Sequence, residues 1–135
     1  MVEFTTYAER TAYWTERDWA TDAPVLTASR IEVPKSLTTL LKTRPVIAGV
    51  AWAQHRGIAK VEIRIDRASA RRPLWPRTVA STCGGSGRSA TTVRRGCTAP
   101  QVRATDLTGV TQPEQRTKVF PRGATGWHRI QFTAE

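Results

Sequence analysis

The stretch RPVIAGVAWAQHRGIAKVEIRID, residues 44–66, decides the fold of this chain. In its first half, every second residue from Val46 to Trp52 is apolar. In its second half, apolar residues from position 59 to position 65 alternate with charged ones. A period of two is typical of a strand with one buried face. Residues 54–57 lie between the halves and include a glycine, so the stretch predicts an antiparallel hairpin with Trp52 on its inner face.

Shorter stretches repeat this pattern along the chain. Residues 2–6 (VEFTT), 29–34 (SRIEVP), 101–109 (QVRATDLTG) and 127–133 (WHRIQFT) each contain a short alternating run beside turn residues. Residues 7–23 hold four aromatic side chains without a sustained period, which predicts an irregular connector. Several short strands between turns favour an all-β sandwich. The predicted core consists of Val46, Val50, Trp52, Val61, Ile63, Ile65, Val102, Ile130 and Phe132.

The positive charge of the chain is concentrated in one segment. The 135-residue sequence has a formal net charge of +10, and residues 67–100 contain seven arginines and no acidic residue. Arginine-rich runs bind phosphates by releasing counterions, but such runs are more often solvated and disordered. Trp75 is the one aromatic residue in the segment, so no stacking platform for bases is visible and nucleic acid is not the expected partner. A small basic module that binds nucleic acid or anions through residues 67–100 stays open as an alternative function.

The residues that could carry chemistry are dispersed. Cys83 and Cys97 lie 14 positions apart, and neither forms a short zinc-type spacing with His55 or His128. Free thiols in a loop are the favoured interpretation, with a disulfide as the open alternative. No acid–base pair is visible, so the sequence predicts no autonomous catalytic site and no metal site. No secretory signal or membrane-length apolar run is present, and nothing indicates a compartment.

Three stretches together carry a family resemblance. Residues 44–66, 101–116 (QVRATDLTGVTQPEQR) and 120–135 (FPRGATGWHRIQFTAE) resemble, in this order, the C-terminal immunoglobulin-like dimerisation domain of molybdopterin-dependent oxidoreductases of the sulfite oxidase type. Upstream, residues 5–24 (TTYAERTAYWTERDWATDAP) and 29–36 (SRIEVPKS) resemble the end of the molybdopterin-binding domain and the linker that follows it.

The resemblance implies an organisation and a function for the chain. Residues 1–28 would be a remnant of the molybdopterin-binding domain and linker, and residues 29–135 an immunoglobulin-like domain that forms a homodimer and packs on a molybdopterin-binding domain. The family's cofactor-binding catalytic domain has no counterpart here, so the resemblance implies a fragment that is inactive alone and binds no cofactor. Molybdenum–molybdopterin is expected in the full-length relative, and neither Cys83 nor Cys97 matches its molybdenum ligand. Sulfite oxidases carry an anion-binding arginine in a setting similar to that of Arg122, which makes this residue the candidate for a substrate-anion contact; a solvated turn arginine is the alternative.

Residues 67–100 do not match the family, which carries further strands at this place. A slip of the reading frame in the gene is the simplest hypothesis. With suitable codons, a two-base shift turns residues 83–87 (CGGSG) into Arg-Arg-Gln-Trp, close to the expected strand. The segment is therefore predicted to be disordered and to interrupt the domain. Resequencing the DNA tests this, because an unbroken, error-free frame across the segment would contradict the hypothesis.

Overall fold

The computed structural model describes residues 3–22, 24–41, 46–65, 71–73, 85–90 and 95–135, with residues 71–73 and 85–90 described by their backbone. Within these residues, a 3-10 turn at Thr15–Arg17 is the one helical element. The strands are β1 (Ala28–Val33), β2 (Thr39–Leu40), β3 (Val46–Trp52), β4 (Ile58–Arg64), β5 (Arg71–Pro73), β6 (Gly85–Ala90), β7 (Gly96–Thr98), β8 (Gln101–Asp106), β9 (His128–Arg129) and β10 (Phe132–Ala134).

Two main sheets enclose one core. The first has the strand order β1-β3-β6 and the second has the order β5-β4-β8-β9, and all of these pairings are antiparallel. A small third sheet pairs β10 in parallel with β2 and antiparallel with β7. The described part of the chain is therefore all-β, and the predicted immunoglobulin-like sandwich is confirmed. The buried core cluster consists of Ile31, Ile47, Ala51, Ala53, Ile58, Val61, Ile63, Val102, Ala104, Ile130, Phe132 and Ala134.

The predicted hairpin between β3 and β4 is wrong, because the two strands belong to different sheets. β3 pairs with β1 and β6, whereas β4 pairs with β5 and β8. Residues 54–57 form a turn in which the carbonyl of Ala53 accepts hydrogen bonds from the N–H groups of Arg56 (3.1 Å) and Gly57 (2.9 Å). Gly57 has a φ of 68°, so the expected role of the glycine holds. The turn is an arch from one sheet to the other, which lets both strands bury an apolar face in the same core.

The predicted inward face of β3 is also wrong. Val46, Val50 and Trp52 are 47%, 37% and 37% exposed, whereas Ile47 and Ala51 are fully buried. β3 carries apolar residues at both alternating sets of positions, so the period of two cannot identify its buried face.

Gly49 shows how closely the backbone of β3 approaches the neighbouring strand. A Cβ atom at this position would lie 2.1 Å from the carbonyl oxygen of Arg30, so only glycine is accommodated here. The register of β1 against β3 shifts immediately beyond this point, between Ile31 and Val33.

The other predicted core residues lie at or beside the core. Val61, Ile63, Val102, Ile130 and Phe132 are at most 7% exposed, and Ile65 is partly buried against the same cluster. The run at 127–133 is divided between two sheets, since β9 pairs with β8 whereas β10 pairs with β2 and β7.

The prediction of disorder over residues 67–100 is corrected where this segment is described. β6 pairs with β3 along its whole length, β5 pairs with β4, and β7 pairs with β10. Thr98 and Pro100 are fully buried. Ladder pairing uses backbone N–H and C=O groups, so it does not depend on the apolar alternation that this segment lacks. The rest of the segment, with Trp75 and Cys83, lies outside the described residues, and the reading-frame hypothesis stays a prediction.

The N-terminal segment is irregular, as predicted. Residues 3–22 and 24–27 contain turns and the 3-10 turn but no strand. The predicted strand at 2–6 is absent over its described residues 3–6, and Phe4 is 97% exposed. Alternation over so few residues does not produce a strand without a neighbouring strand to pair with.

Candidate interaction surface

The side of the first sheet that faces away from the core carries exposed apolar side chains. We name Val33, Val46, Val50 and Trp52 the apolar outer face; each is between 37% and 48% exposed. The first of these residues lies on β1 and the others on the adjacent β3, where Val50 is directly opposite Arg30. An apolar group on one sheet face is a typical feature of a surface that a partner covers.

Charges of both signs lie beside the apolar outer face. On β1, Nε of Arg30 is 2.9 Å from Oε1 of Glu32. Nζ of Lys35 is 3.7 Å from Oε2 of the same carboxylate. All three side chains are at least 36% exposed. Exposed pairs of this kind contribute little to stability, about 0–1 kcal/mol. Their contribution to folding is therefore small.

A half-buried histidine holds the free edge of β1. The N–H of Ile31 donates a hydrogen bond to Nδ1 of His128 on β9 (3.1 Å). Burial lowers the pKa of His128, as do the nearby charges of Arg30 and Arg116, although Glu32 opposes them. An imidazole that accepts at Nδ1 is neutral there, and the low pKa keeps it so. β1 is thereby tied to the second sheet.

Gln112 connects the two sheets below the apolar outer face. Its buried side chain accepts hydrogen bonds at Oε1 from Oγ of Ser29 (2.7 Å) and from the N–H of Ala104 (3.2 Å). Its Nε2 donates to the carbonyl of Gly126 (2.7 Å). Its own carbonyl accepts from Nε1 of Trp127 (2.8 Å). The amide therefore satisfies polar groups from β1, β8 and the segment before β9 at once.

Asp106, at the end of β8, holds the arch between β3 and β4. It is fully buried, and its carboxylate accepts hydrogen bonds from the N–H and Oγ1 of Thr108 (3.1 and 2.6 Å) and the N–H of Val110 (3.0 Å). Oγ1 of Thr27 (2.9 Å) and Nε of Arg56 (3.0 Å) donate to its other oxygen. Burial alone would raise the pKa of this carboxyl, but these hydrogen bonds lower it to about 2. The hydrogen bonds therefore stabilise the charged form of Asp106 in the folded chain.

The second sheet has a different outer face. Trp127 is 7% exposed and lies under two guanidinium groups, with the Cζ atoms of Arg64 and Arg103 at 4.7 and 5.5 Å from its ring. Nη2 of Arg103 is 2.6 Å from Oε2 of Glu62, and Nη2 of Arg64 is 2.5 Å from Oε1 of Glu114. Charged side chains of the same chain therefore shield the large apolar ring on this face from solvent.

Arg122, the predicted anion contact, lies on the surface beside the N-terminal segment. Its Nη1 is 3.1 Å from Oδ2 of Asp22, and its side chain is 67% exposed. The same contact region includes the edge-to-face rings of Trp19 and Phe120, 5.5 Å apart. A third link is the hydrogen bond from the N–H of Ala20 to the carbonyl of residue 121 (3.3 Å). One nitrogen of the Arg122 guanidinium group thus pairs with an acidic side chain, and the role of Arg122 with substrate stays a prediction.

The other predicted chemical residues are not brought together. Cys97 is exposed, and Nε2 of Gln131 donates to its Sγ (2.8 Å). His55 lies in the arch, with a φ of 61°, whereas His128 lies on β9 and contacts β1. Within the described ranges, no three His, Cys, Asp or Glu side chains group in a way that could hold a metal ion. No described helix has the length and apolar character needed to cross a bilayer.

Sequence reasoning missed the two most connected polar residues, Asp106 and Gln112. A signal for the first was present, since an aspartate followed by Leu-Thr-Gly is typical of a side chain that bonds the backbone of a turn. The second had no such signal, because its partners come from three separate parts of the chain.

Comparison with known proteins gives a structural similarity. No protein-family model and no curated protein matches the sequence. The chain is similar to part of the sulfane dehydrogenase SoxCD from Paracoccus pantotrophus, with a TM-score of 0.54 and 21% identity over 64% of this chain and 23% of that one. It is also similar to the fibronectin(III)-like modules of CbhA from Clostridium thermocellum, with a TM-score of 0.44 and 12% identity over 79% of this chain and 95% of that one. The chain spans about a quarter of the SoxCD chain, and the similarity to it shows a common fold.

Proposed function

We propose that this chain is the C-terminal dimerisation portion of a molybdopterin-dependent oxidoreductase of the sulfite oxidase type and is inactive without a cofactor-binding catalytic domain. The observation that carries the proposal is where the family-like stretches fall in the fold. Residues 44–66 contain β3 and β4, residues 101–116 begin with β8, and residues 120–135 contain β9 and β10. The stretches that resemble the family therefore supply strands to both main sheets.

Two further observations support the proposal. The fold is similar to part of a protein named as a sulfane dehydrogenase, and it covers only 23% of that chain, as one domain of a larger oxidoreductase would. The apolar outer face is exposed in the single chain and would be covered in an assembly. A homodimer through this domain, which packs on a molybdopterin-binding domain, accounts for both.

The described residues do not suit a molybdenum centre. Cys97, the one cysteine among them, is exposed and contacts an amide rather than a group of metal ligands. We therefore assign the cofactor to the molybdopterin-binding domain of the full-length relative and derive no chemical step through it. Arg122 remains the candidate for a substrate-anion contact, for which it would exchange its ion pair with Asp22 for the anion.

Sedimentation equilibrium of the purified chain over a wide concentration range tests the proposal. We expect a reversible monomer–dimer equilibrium with a compact dimer. A folded chain that stays monomeric at every concentration would contradict it. Retention of the chain on duplex DNA that weakens steeply with salt would instead favour the basic-module alternative, since phosphate contacts release counterions.

A further inference from the structure

The apolar outer face and its neighbouring charges point to a specific two-fold contact. We propose that two copies of this chain pair through Val33, Val46, Val50 and Trp52, with Arg30 of each copy meeting Glu32 of its partner. This inference rests on the proposed dimerisation function and names the surface that performs it.

The apolar half of the argument is the contrast between the outer faces of the two main sheets. On the second sheet, two guanidinium groups cover the ring of Trp127 and leave it 7% exposed. On the first sheet, Trp52 and Val50 are each 37% exposed, and the other two residues of the face are more exposed still. Among the described residues, cation–π contacts cover Trp127 but none covers Trp52. A second copy of the same face would remove this apolar surface from water.

The charged half of the argument selects a second copy as the occupant. Arg30 and Glu32 lie two positions apart on β1 and carry opposite charges at the border of the apolar outer face. A two-fold axis places residue i of one copy against residue j of the other and j against i. An arginine and a glutamate side by side therefore form two intermolecular pairs when the face meets itself, whereas a surface of one sign would repel its copy.

The strand that presents these charges is held in place before any contact forms. The hydrogen bond from the N–H of Ile31 to His128 lies between Arg30 and Glu32 in the sequence of β1. Ser29, on the other side of Arg30, is anchored by its hydrogen bond to Gln112. A surface that is already ordered loses less conformational entropy on association.

The first experiment places a charge in the apolar outer face. In a symmetric dimer, Val50→Lys places a charge from each copy in the buried apolar contact, so the dimer dissociation constant should rise at least about tenfold. Val119→Lys is the matched control, because Val119 is 57% exposed and lies outside the apolar outer face. Its dissociation constant should equal that of the wild type. A dimer that survives Val50→Lys would overturn the inference while leaving the proposed function intact, since another surface would then form the dimer.

The second experiment separates the intermolecular charge pair from the intramolecular one. Arg30→Glu and Glu32→Arg chains should each be monomeric, and an equimolar mixture should form a heterodimer, detected by native mass spectrometry. The mixture restores opposite charges only across the interface. If the mixture stays monomeric while both chains are folded, the Arg30–Glu32 contact is wrong.

A third variant guards against a folding defect. Arg30→Glu/Glu32→Arg keeps the pair within each chain, and it should dimerise with itself but not exchange subunits with the wild type. Free exchange with the wild type would overturn the charge contact. A wild-type chain that never dimerises would overturn this inference and the proposed function together.

Discussion

β3 and β4 follow one another in the sequence with similar alternation, yet they differ in how their two faces are used. In β4, Val61 and Ile63 are buried, and the positions between and beside them are charged. In β3, Ile47 and Ala51 are buried, although the outward positions hold apolar side chains too, Trp52 among them. An apolar period locates a strand, but polar residues at the alternate positions are needed to orient it.

The same difference separates two kinds of surface. The charged outward positions of β4 find partners in the fold, as when Glu62 pairs with Arg103 and with Lys60 (3.4 Å). The outward valines of β3 have no such cover among the described residues. Among the described residues, the second sheet therefore covers its outer face with its own charged side chains, whereas the first leaves apolar side chains exposed.

The largest expected loss of stability comes from removing the carboxylate that holds the arch between β3 and β4. Asp106→Ala removes a fully buried acceptor of several hydrogen bonds, one of them from the buried hydroxyl of Thr27, and a buried donor left unsatisfied costs about 1–3 kcal/mol. We expect the free energy of unfolding, measured by urea denaturation at neutral pH, to fall by about 3–5 kcal/mol. Leu107→Ala is the control, because that side chain is 57% exposed, and it should change stability by about 0.5 kcal/mol or less. Equal effects of the two would mean that the carboxylate does not hold the arch.

The contribution of Asp106 has a definite pH dependence. Its pKa falls from an ordinary value of 3.8 to about 2 in the folded chain. Its stabilisation is therefore fully present above pH 3.8 and is lost as the pH falls through about 2. The advantage of the wild type over Asp106→Asn should shrink across this interval in urea titrations at successive pH values. An advantage that stays constant down to pH 2 would contradict the low pKa.

The second effect tests the orientation of β3 directly. Ile47→Ala should lower the free energy of unfolding by about 2–5 kcal/mol, since it leaves a cavity at a fully buried site. Val46→Ala, one residue away at a position that is 47% exposed, should cost about 1 kcal/mol or less. Both values come from chemical denaturation. The reverse order of costs would restore the inward face that the sequence predicts.

The sandwich was predictable because most of its strands carry local signals. The apolar sets of β4 and β8 lie at alternate positions beside charged or polar ones, so Val61, Ile63 and Val102 point inward as the pattern requires. The sheet to which a strand belongs is a long-range property, which is why the arch between β3 and β4 could be mistaken for a hairpin. β6 could not be predicted either. Its sequence, GSGRSA, has no apolar period, although its backbone pairs with β3.

The candidate site was less predictable than the fold. Arg122 could be named from its resemblance to a family arginine, but its ion pair with Asp22 joins residues 100 positions apart and has no local signal. The apolar outer face was hidden for another reason. Its residues on β3 were assigned to the core, because a large apolar side chain in a strand is more often buried than exposed. An apolar period alone does not separate a buried face from an exposed one.

The smallest expected change in stability concerns Glu62, on the outer face of β4. The side chain of Glu62 is 13% exposed; burial would raise its pKa, but the hydrogen bond and charge of Arg103, helped by Lys60, lower it. Glu62→Gln removes that charge, and we expect the free energy of unfolding to fall by about 1 kcal/mol. The loss should diminish as the pH drops through the lowered pKa, since the stabilisation is present only above it.

Glu114→Gln is the matched control for Glu62→Gln. Glu114 also pairs with an outward arginine of the second sheet, but its side chain is 56% exposed, so its loss should cost about 0.5 kcal/mol or less. Urea denaturation of the two variants at neutral pH compares them directly. If Glu62→Gln costs no more than Glu114→Gln, the charged face of β4 is merely solvated. In that case the outer faces of the two sheets would not differ in how far charged side chains of the same chain cover them.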